Sequence, residues 1–99
     1  MDRPDLQDAL RDREAVLRAF LAEDGSLRAI PTRIRKRLVI LDHLAQEFVP
    51  GQTYEETEVN NRLRAYHPDV AALRRYLVEE TFLERRDGFY WRAGGTVDV

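Results

Sequence analysis

The chain has 99 residues, of which 43% are hydrophobic and 34% are charged, and its formal net charge is −2. This length suits one domain and is too short for a large layered enzyme, since a single core usually occupies roughly 100–150 residues. It contains no cysteine, which excludes disulfides, thiolate nucleophiles and cysteine-ligated zinc.

The first segment predicts an amphipathic helix, over roughly residues 4–22. Its apolar positions recur at helical spacing, and they are Leu6, Ala9, Leu10, Val16, Leu17, Phe20 and Leu21. The pattern ends at the turn-rich run Glu23-Asp24-Gly25-Ser26. We expect residues 1–26 to form an added helix and turn that pack on the core, with a homodimer through this helix as the alternative.

A second helix is predicted after Pro31, with Thr32 as its N-cap. Residues 27–30 before it are short enough to be only a brief strand or an extended linker. The apolar stripe of the helix consists of Ile34, Leu38, Leu41, Leu44, Ala45 and Phe48. Val39 and Ile40 lie off the stripe, so we expect this helix to be contacted on two sides and to be central.

Two shorter helices are predicted next. Thr53-Tyr54-Glu55-Glu56 matches a capping box and predicts a helix that ends before His67-Pro68. Because proline fits the first turn of a helix, residues 68–80 are predicted as the following one, with Val70, Leu73 and Leu77 facing inward. Two short helices that meet at such a turn are typical of a helix-turn-helix.

A β-hairpin is predicted at the end of the chain, because residues 82–86 and 89–92 flank Asp87-Gly88. A type I′ turn would pair Arg86 with Phe89 and Arg85 with Tyr90. We expect Phe89 and Trp91 to attach the hairpin to the helices as core residues, and the tail, residues 93–99, to be frayed.

The predicted fold class is therefore α+β and mainly helical. Its elements match a winged helix-turn-helix, with a three-helix core and a C-terminal β-hairpin wing at residues 27–92, and an extra N-terminal amphipathic helix. We expect residues 1–99 to form one domain.

An ordered set of residues between Phe20 and Arg92 resembles a known family. It comprises Phe20-Leu21, Asp24-Gly25, Leu27 to Pro31, Lys36-Arg37, Leu41, Leu44-Ala45, Pro50-Gly51, Tyr54, Glu58-Val59-Asn60, His67-Pro68-Asp69, Leu73-Arg74-Arg75, Leu77, Leu83-Glu84-Arg85 and Tyr90-Trp91-Arg92. The family is a bacterial domain of unknown function that occurs alone or fused to helix-turn-helix transcriptional regulators of the arsenic-repressor type. The resemblance implies a winged-helix-like fold and suspected nucleic-acid binding, and it names no catalytic residue. The chain departs from the family at Glu80-Thr81-Phe82, where glycine would more usually end the helix.

Charge is segregated along the chain, which is typical of a protein with one basic face. Residues 25–37 hold five bases and no acid, whereas residues 38–61 hold five carboxylates and no Lys or Arg. Arg33, Arg35, Lys36 and Arg37 crowd the start of the second helix. Bases so placed favour a phosphate partner, and the alternative is pairing with acids such as Asp24, Glu55 or Glu56.

The fourth helix would be the recognition helix, and helical spacing places Ala71, Ala72, Arg75 and Glu79 outward with Arg74 on a flank. Arg85 and Arg86 would lie on the wing. We therefore predict that double-stranded DNA is contacted by Arg74, Arg75, Arg85 and Arg86, and that Arg33, Lys36 and Arg37 bind phosphates. The alternative for each is solvated surface charge.

Catalysis is not expected, and neither a metal nor a cofactor is predicted. The chain has one serine, Ser26, and two isolated histidines, His43 and His67, which do not make a nucleophile–base–acid set. No apolar run approaches the roughly 20 residues of a membrane span, and the N-terminus lacks a signal-peptide pattern. We expect a cytoplasmic, non-enzymatic DNA-binding module of transcription regulation. The alternative is a winged-helix protein–protein interaction module that binds an acidic partner.

Overall fold

A computed structural model of the chain describes residues 5–97. Its elements are α1 (Leu6–Ala9), a 3-10 turn (Leu10–Asp12), α2 (Arg13–Phe20), α3 (Ile34–Ala45), β1 (Thr53–Glu55), α4 (Glu56–Arg64), α5 (Val70–Glu79), β2 (Leu83–Arg86) and β3 (Phe89–Arg92). The strands form an antiparallel sheet in the order β1-β3-β2. The predicted α+β, mainly helical class is thus confirmed. In the part of the chain that is described, no helix has the length and apolarity to cross a membrane.

Helix α3 lies at the centre of the core. Val39 and Ile40, which fall off its main apolar stripe, are both fully buried. The helix contacts α1 and α2 on the N-terminal side and α5 on the other, so the predicted contact on two sides is confirmed. The predicted Thr32 cap is wrong. Arg33 has the extended backbone of an N-cap, and its side chain makes no capping bond.

The N-terminal helix is shorter than predicted and is interrupted by the 3-10 turn. Residue 4, where the predicted helix began, lies outside the described residues. The apolar side chains of the N-terminal helical segment are partly buried against the core, and they include Leu6, Leu10, Leu17 and Phe20. Arg35 on α3 also donates to the Asp8 carboxylate and to the Asp8 carbonyl, each at 2.8 Å. The helix therefore packs on the core of its own chain, and Arg35 pairs with Asp8 rather than with Asp24, Glu55 or Glu56.

The capping-box prediction at residues 53–56 is wrong, because Thr53–Glu55 is a strand. Tyr54 pairs with Tyr90 of β3, and its buried ring packs edge-on against Phe48 with the centroids 5.2 Å apart. Burial of this aromatic side chain and the bonds of the ladder outweigh a local cap. Helix α4 begins only at Glu56.

Helix α5 also begins later than the proline indicated. Asp69 is its N-cap, and its carboxylate accepts from the backbone N–H of Ala72 at 3.1 Å. The side chain of Ala72 was predicted to face outward, but the residue is 92% buried, since its exposed fraction is 8%. Ala71 beside it is exposed. The outward face of α5 is thus narrower than helical spacing alone predicted.

The end of α5 is a Schellman motif built around an unusual residue. The N–H of Phe82 bonds the carbonyl of Leu77 at 2.9 Å, and the N–H of Thr81 bonds that of Val78 at 3.1 Å. Thr81 has φ 62°, a left-handed conformation that glycine adopts without strain and a β-branched residue adopts only at a cost. The departure from the family at this position therefore falls on a strained residue.

We expect Thr81→Gly to stabilise the protein by about 0.5–1 kcal/mol, because it removes the Cβ that clashes in the left-handed conformation. Urea denaturation followed by circular dichroism measures this. Thr81→Ala is the matched control, since it keeps the Cβ and removes the γ-methyl and the hydroxyl that donates to the Glu80 carbonyl. A glycine variant less stable than the alanine variant would contradict the assignment of strain.

The predicted hairpin and its register are confirmed. Arg86 pairs with Phe89 and Arg85 with Tyr90, and both turn residues, Asp87 and Gly88, have the positive φ that a type I′ turn needs. The prediction that Phe89 is a core residue is wrong, because 46% of it is exposed. Strand alternation is the reason, since Tyr90 takes the inward position.

The predicted fraying of the tail does not hold for residues 93–96. The buried carboxylate of Asp42 accepts from the backbone N–H of Thr96 at 2.7 Å and from its hydroxyl at 3.0 Å. Gln46 donates to the Thr96 carbonyl at 2.9 Å. These long-range bonds fix the tail against α3, and residues 98–99 lie outside the described part.

Candidate nucleic-acid interface

A cleft of about 400 Å³ lies between α5 and the β2–β3 hairpin. It is lined by Ala71, Arg74, Arg75, Val78, Glu79, Arg85 and Tyr90. Helix α5 supplies five of these residues at helical spacing, and adjacent positions of the hairpin supply the other two. The fold thus brings three of the predicted arginines, Arg74, Arg75 and Arg85, to one place.

Arg75 is the more available of the two arginines on α5. Its side chain is 59% exposed, and its nearest carboxylate is Glu79 one turn later, at 3.8 Å. The guanidinium also lies 5.2 Å from the centroid of the Tyr76 ring. An exposed ion pair at this distance contributes little stability, so a stronger anion can compete for Arg75.

Arg74 is held by α4. Only 21% of its side chain is exposed, and its Nε lies 3.6 Å from Glu56 Oε1. Its Nη1 donates to the side-chain oxygen of Asn60. Arg74 therefore joins α5 to α4 and contributes positive charge to the cleft from a fixed position.

Glu56 connects α4 to the hairpin. Its Oε1 accepts from the Tyr90 hydroxyl at 2.7 Å, and this bond and the nearby Arg74 lower the pKa of the Glu56 carboxyl. The Tyr90 hydroxyl beside Arg85 in turn raises the pKa of that guanidinium. Glu56 and Asn60 were not predicted as part of the site. Their spacing of four residues, which puts them on one face of a helix, was the available signal.

Arg86 does not join the cleft. Because successive strand residues point to opposite faces, its Cβ lies on the side of the hairpin away from Arg85. Its side chain is 84% exposed and is 3.8 Å from the Asp87 carboxylate. The two arginines of the predicted wing therefore start from opposite faces of the hairpin, and both line a depression only at its turn.

The basic residues at the start of α3 also lie on different parts of the surface. The guanidinium of Arg37 lies 4.4 Å from the centroid of the Tyr76 ring, which Arg75 also approaches, and it donates to the Thr32 carbonyl at 3.0 Å. Arg37 is thus beside the outward face of α5. Lys36 instead lines a groove with α2, and Arg33 is exposed at the N-cap of α3.

The titratable groups of the interface do not form a metal centre. Within residues 5–97, no group of three or more His, Cys, Asp or Glu side chains is placed to hold a metal ion. His43 is half-buried with its ring edge-on to Tyr66. Burial and the nearby Arg13 lower the pKa of His43.

We expect Glu56→Gln to destabilise the protein at neutral pH by an amount that shrinks in acid. A carboxyl whose pKa is lowered by folding contributes its full stability above its ordinary pKa, 4.5 here, and loses it as the pH falls through the lower folded value. Urea denaturation of both proteins at neutral and acidic pH measures the difference. A gap that stays constant below pH 4.5 would show that the charge of Glu56 is not involved.

Comparison with known proteins gives one family match. The model of a family described as an uncharacterized protein conserved in bacteria, DUF2087, matches residues 26–92. These residues include α3, α4, α5 and the three strands of the sheet. The search of curated proteins gives no match, and the search of solved structures gives none either.

Proposed function

We propose that this chain, which belongs to the bacterial family DUF2087, is a non-enzymatic winged helix-turn-helix module that binds duplex DNA and serves transcription regulation. The order of elements supports this, since α3, β1, α4, α5, β2 and β3 follow one another as a helical core and a β-ribbon. In such modules the second helix of the pair enters the major groove and the ribbon contacts the backbone. Here these would be α5 and the hairpin.

The observation that carries the proposal is the pair of exposed arginines at the junction of α5 and the hairpin. Arg75 and Arg85 line the same cleft from the two elements. A helix in the groove and a ribbon beside it place their cations on one DNA backbone and on the adjacent base edges. Ala71, one turn before Arg75, is small and exposed, which permits close approach of α5.

The second supporting feature is the position of Arg37. Through the shared Tyr76 ring it adds a cation next to Arg75, so phosphates that flank the groove would meet α3 as well as α5. Glu79 weakens attraction to phosphate, but a carboxylate on a recognition helix can accept from the amino group of cytosine. The arrangement favours selective binding over strong nonspecific binding.

Fluorescence anisotropy with a labelled random-sequence duplex tests the proposal. If three phosphates are neutralised, affinity should fall about 40-fold for a fourfold rise in salt, because the slope of log K against log salt is about −0.9 per phosphate. A protein that shows no binding at low salt would contradict the proposal. A stable complex with an acidic protein in a pull-down would then favour the interaction-module alternative. Arg74 and Arg75 already pair with carboxylates of this chain, so they could also pair with those of an acidic partner.

A further inference from the structure

The outer face of the sheet carries two aromatic side chains that the DNA-binding surface does not use. Phe89 and Trp91 of β3 alternate with the buried Tyr90, so they point away from the helices. Phe89 is 46% exposed, and Trp91 is partly exposed. Two neighbouring aromatic side chains on one face of the sheet offer an apolar surface to a partner.

A glutamate lies beside each of these aromatics. Across the ladder, Glu55 of β1 opposes Phe89 and Glu84 of β2 opposes Trp91, and directly opposed side chains have their Cβ atoms about 5 Å apart. Both glutamates are exposed. The cation on this face is Arg86, which opposes Phe89 from β2 and lies 3.8 Å from the Asp87 carboxylate.

We propose that this face docks an arginine- or lysine-bearing segment of a protein partner. A guanidinium stacks favourably on Trp91 or Phe89 through the cation–π interaction, and Glu55 or Glu84 beside the ring can accept its hydrogen bonds. The proposal goes beyond DNA binding, because Arg85 and the cleft lie on the opposite side of the hairpin.

The charge of this face argues against single-stranded nucleic acid, the other ligand that exposed aromatic side chains bind. Single-stranded nucleic acid stacks its bases on such rings, but its binding also needs cations that follow the phosphates. Here the phosphates would meet Glu55 and Glu84, whose repulsion opposes the gain from stacking. A cationic segment meets attraction from both the rings and the carboxylates.

Trp91 provides a direct readout, because it is the only tryptophan of the chain. We expect a short arginine peptide, titrated into the whole chain at low salt, to change the Trp91 emission saturably, and an oligoglutamate peptide to leave it unchanged. Glu55→Gln/Glu84→Gln should weaken peptide binding at least about tenfold. The same variant should bind duplex DNA no more weakly than the native chain, which separates this surface from the cleft.

Glu14→Gln/Glu23→Gln is the matched control, since both residues are exposed near the N-terminus and the charge change is identical. An equal loss of peptide binding in the control would overturn the proposal in favour of diffuse electrostatics. An unchanged Trp91 emission with the arginine peptide would also overturn it. Saturable quenching by oligothymidylate that exceeds the effect of the peptide would assign the face to single-stranded nucleic acid instead.

Discussion

Arg75→Glu/Arg85→Glu should weaken binding of duplex DNA by about 100-fold, since each contact of this kind contributes roughly 1–3 kcal/mol and a tenfold change corresponds to about 1.4 kcal/mol. The two residues approach the cleft from α5 and from the hairpin. Reversal of both charges therefore replaces two attractive contacts with repulsion at the same place. Equilibrium anisotropy with a labelled duplex at low salt measures the loss.

The matched control is Arg11→Glu/Arg18→Glu, which changes the net charge equally. Both residues are exposed, and the main contacts of their segment with the rest of the fold are with α3. The cleft variant should also lose about two units from the slope of log K against log salt, whereas the control should keep its slope. Equal affinities for the two variants would show that DNA, if bound, is bound elsewhere.

Phe48→Ala should lower the free energy of unfolding by about 3–5 kcal/mol, the usual cost of truncating a buried aromatic residue. Phe48 is fully buried just after α3, its ring contacts Tyr54, and its carbonyl accepts from Arg92 at 3.2 Å. It therefore joins the helical core to the sheet. A loss of this size is a large part of the stability of a small domain, and urea denaturation monitored by circular dichroism detects it.

The neighbouring residue is the control for this substitution. Val49 is 50% exposed, so Val49→Ala should change the free energy of unfolding by less than about 0.5 kcal/mol. If Phe48→Ala proved as mild as Val49→Ala, the packing of the sheet on α3 through this ring would be incorrect.

The elements that sequence patterns predicted well are those whose signals are local. The Asp87-Gly88 turn fixes both conformation and register by itself, and the continuous apolar character of residues 38–41 indicated a helix buried on two sides. The capping-box prediction at Thr53 was wrong because the strand pairing that replaces the cap is distant in sequence. Strand β1 gains its hydrogen bonds from β3, more than thirty residues later, and nothing near Thr53 encodes that pairing.

The candidate site was predictable only in part for the same reason. Helical spacing placed Arg75 outward, and hairpin register placed Arg85 beside Tyr90. The fixing of Arg74 by Glu56 and Asn60 depends on the angle between α4 and α5, which apolar spacing within each helix does not determine. Strand alternation predicts that Arg85 and Arg86 point in opposite directions. Both were nevertheless predicted to contact DNA, because both are arginines of the wing.

Strand β1 ends at Glu55 and α4 begins at Glu56, with no loop between them. One of these adjacent carboxylates faces the aromatic side of the sheet, and the other bonds Tyr90 within the cleft region. A rotation of the peptide that joins them would displace both groups together. We therefore expect that a ligand bound at either proposed surface would change the rigidity of this shared junction.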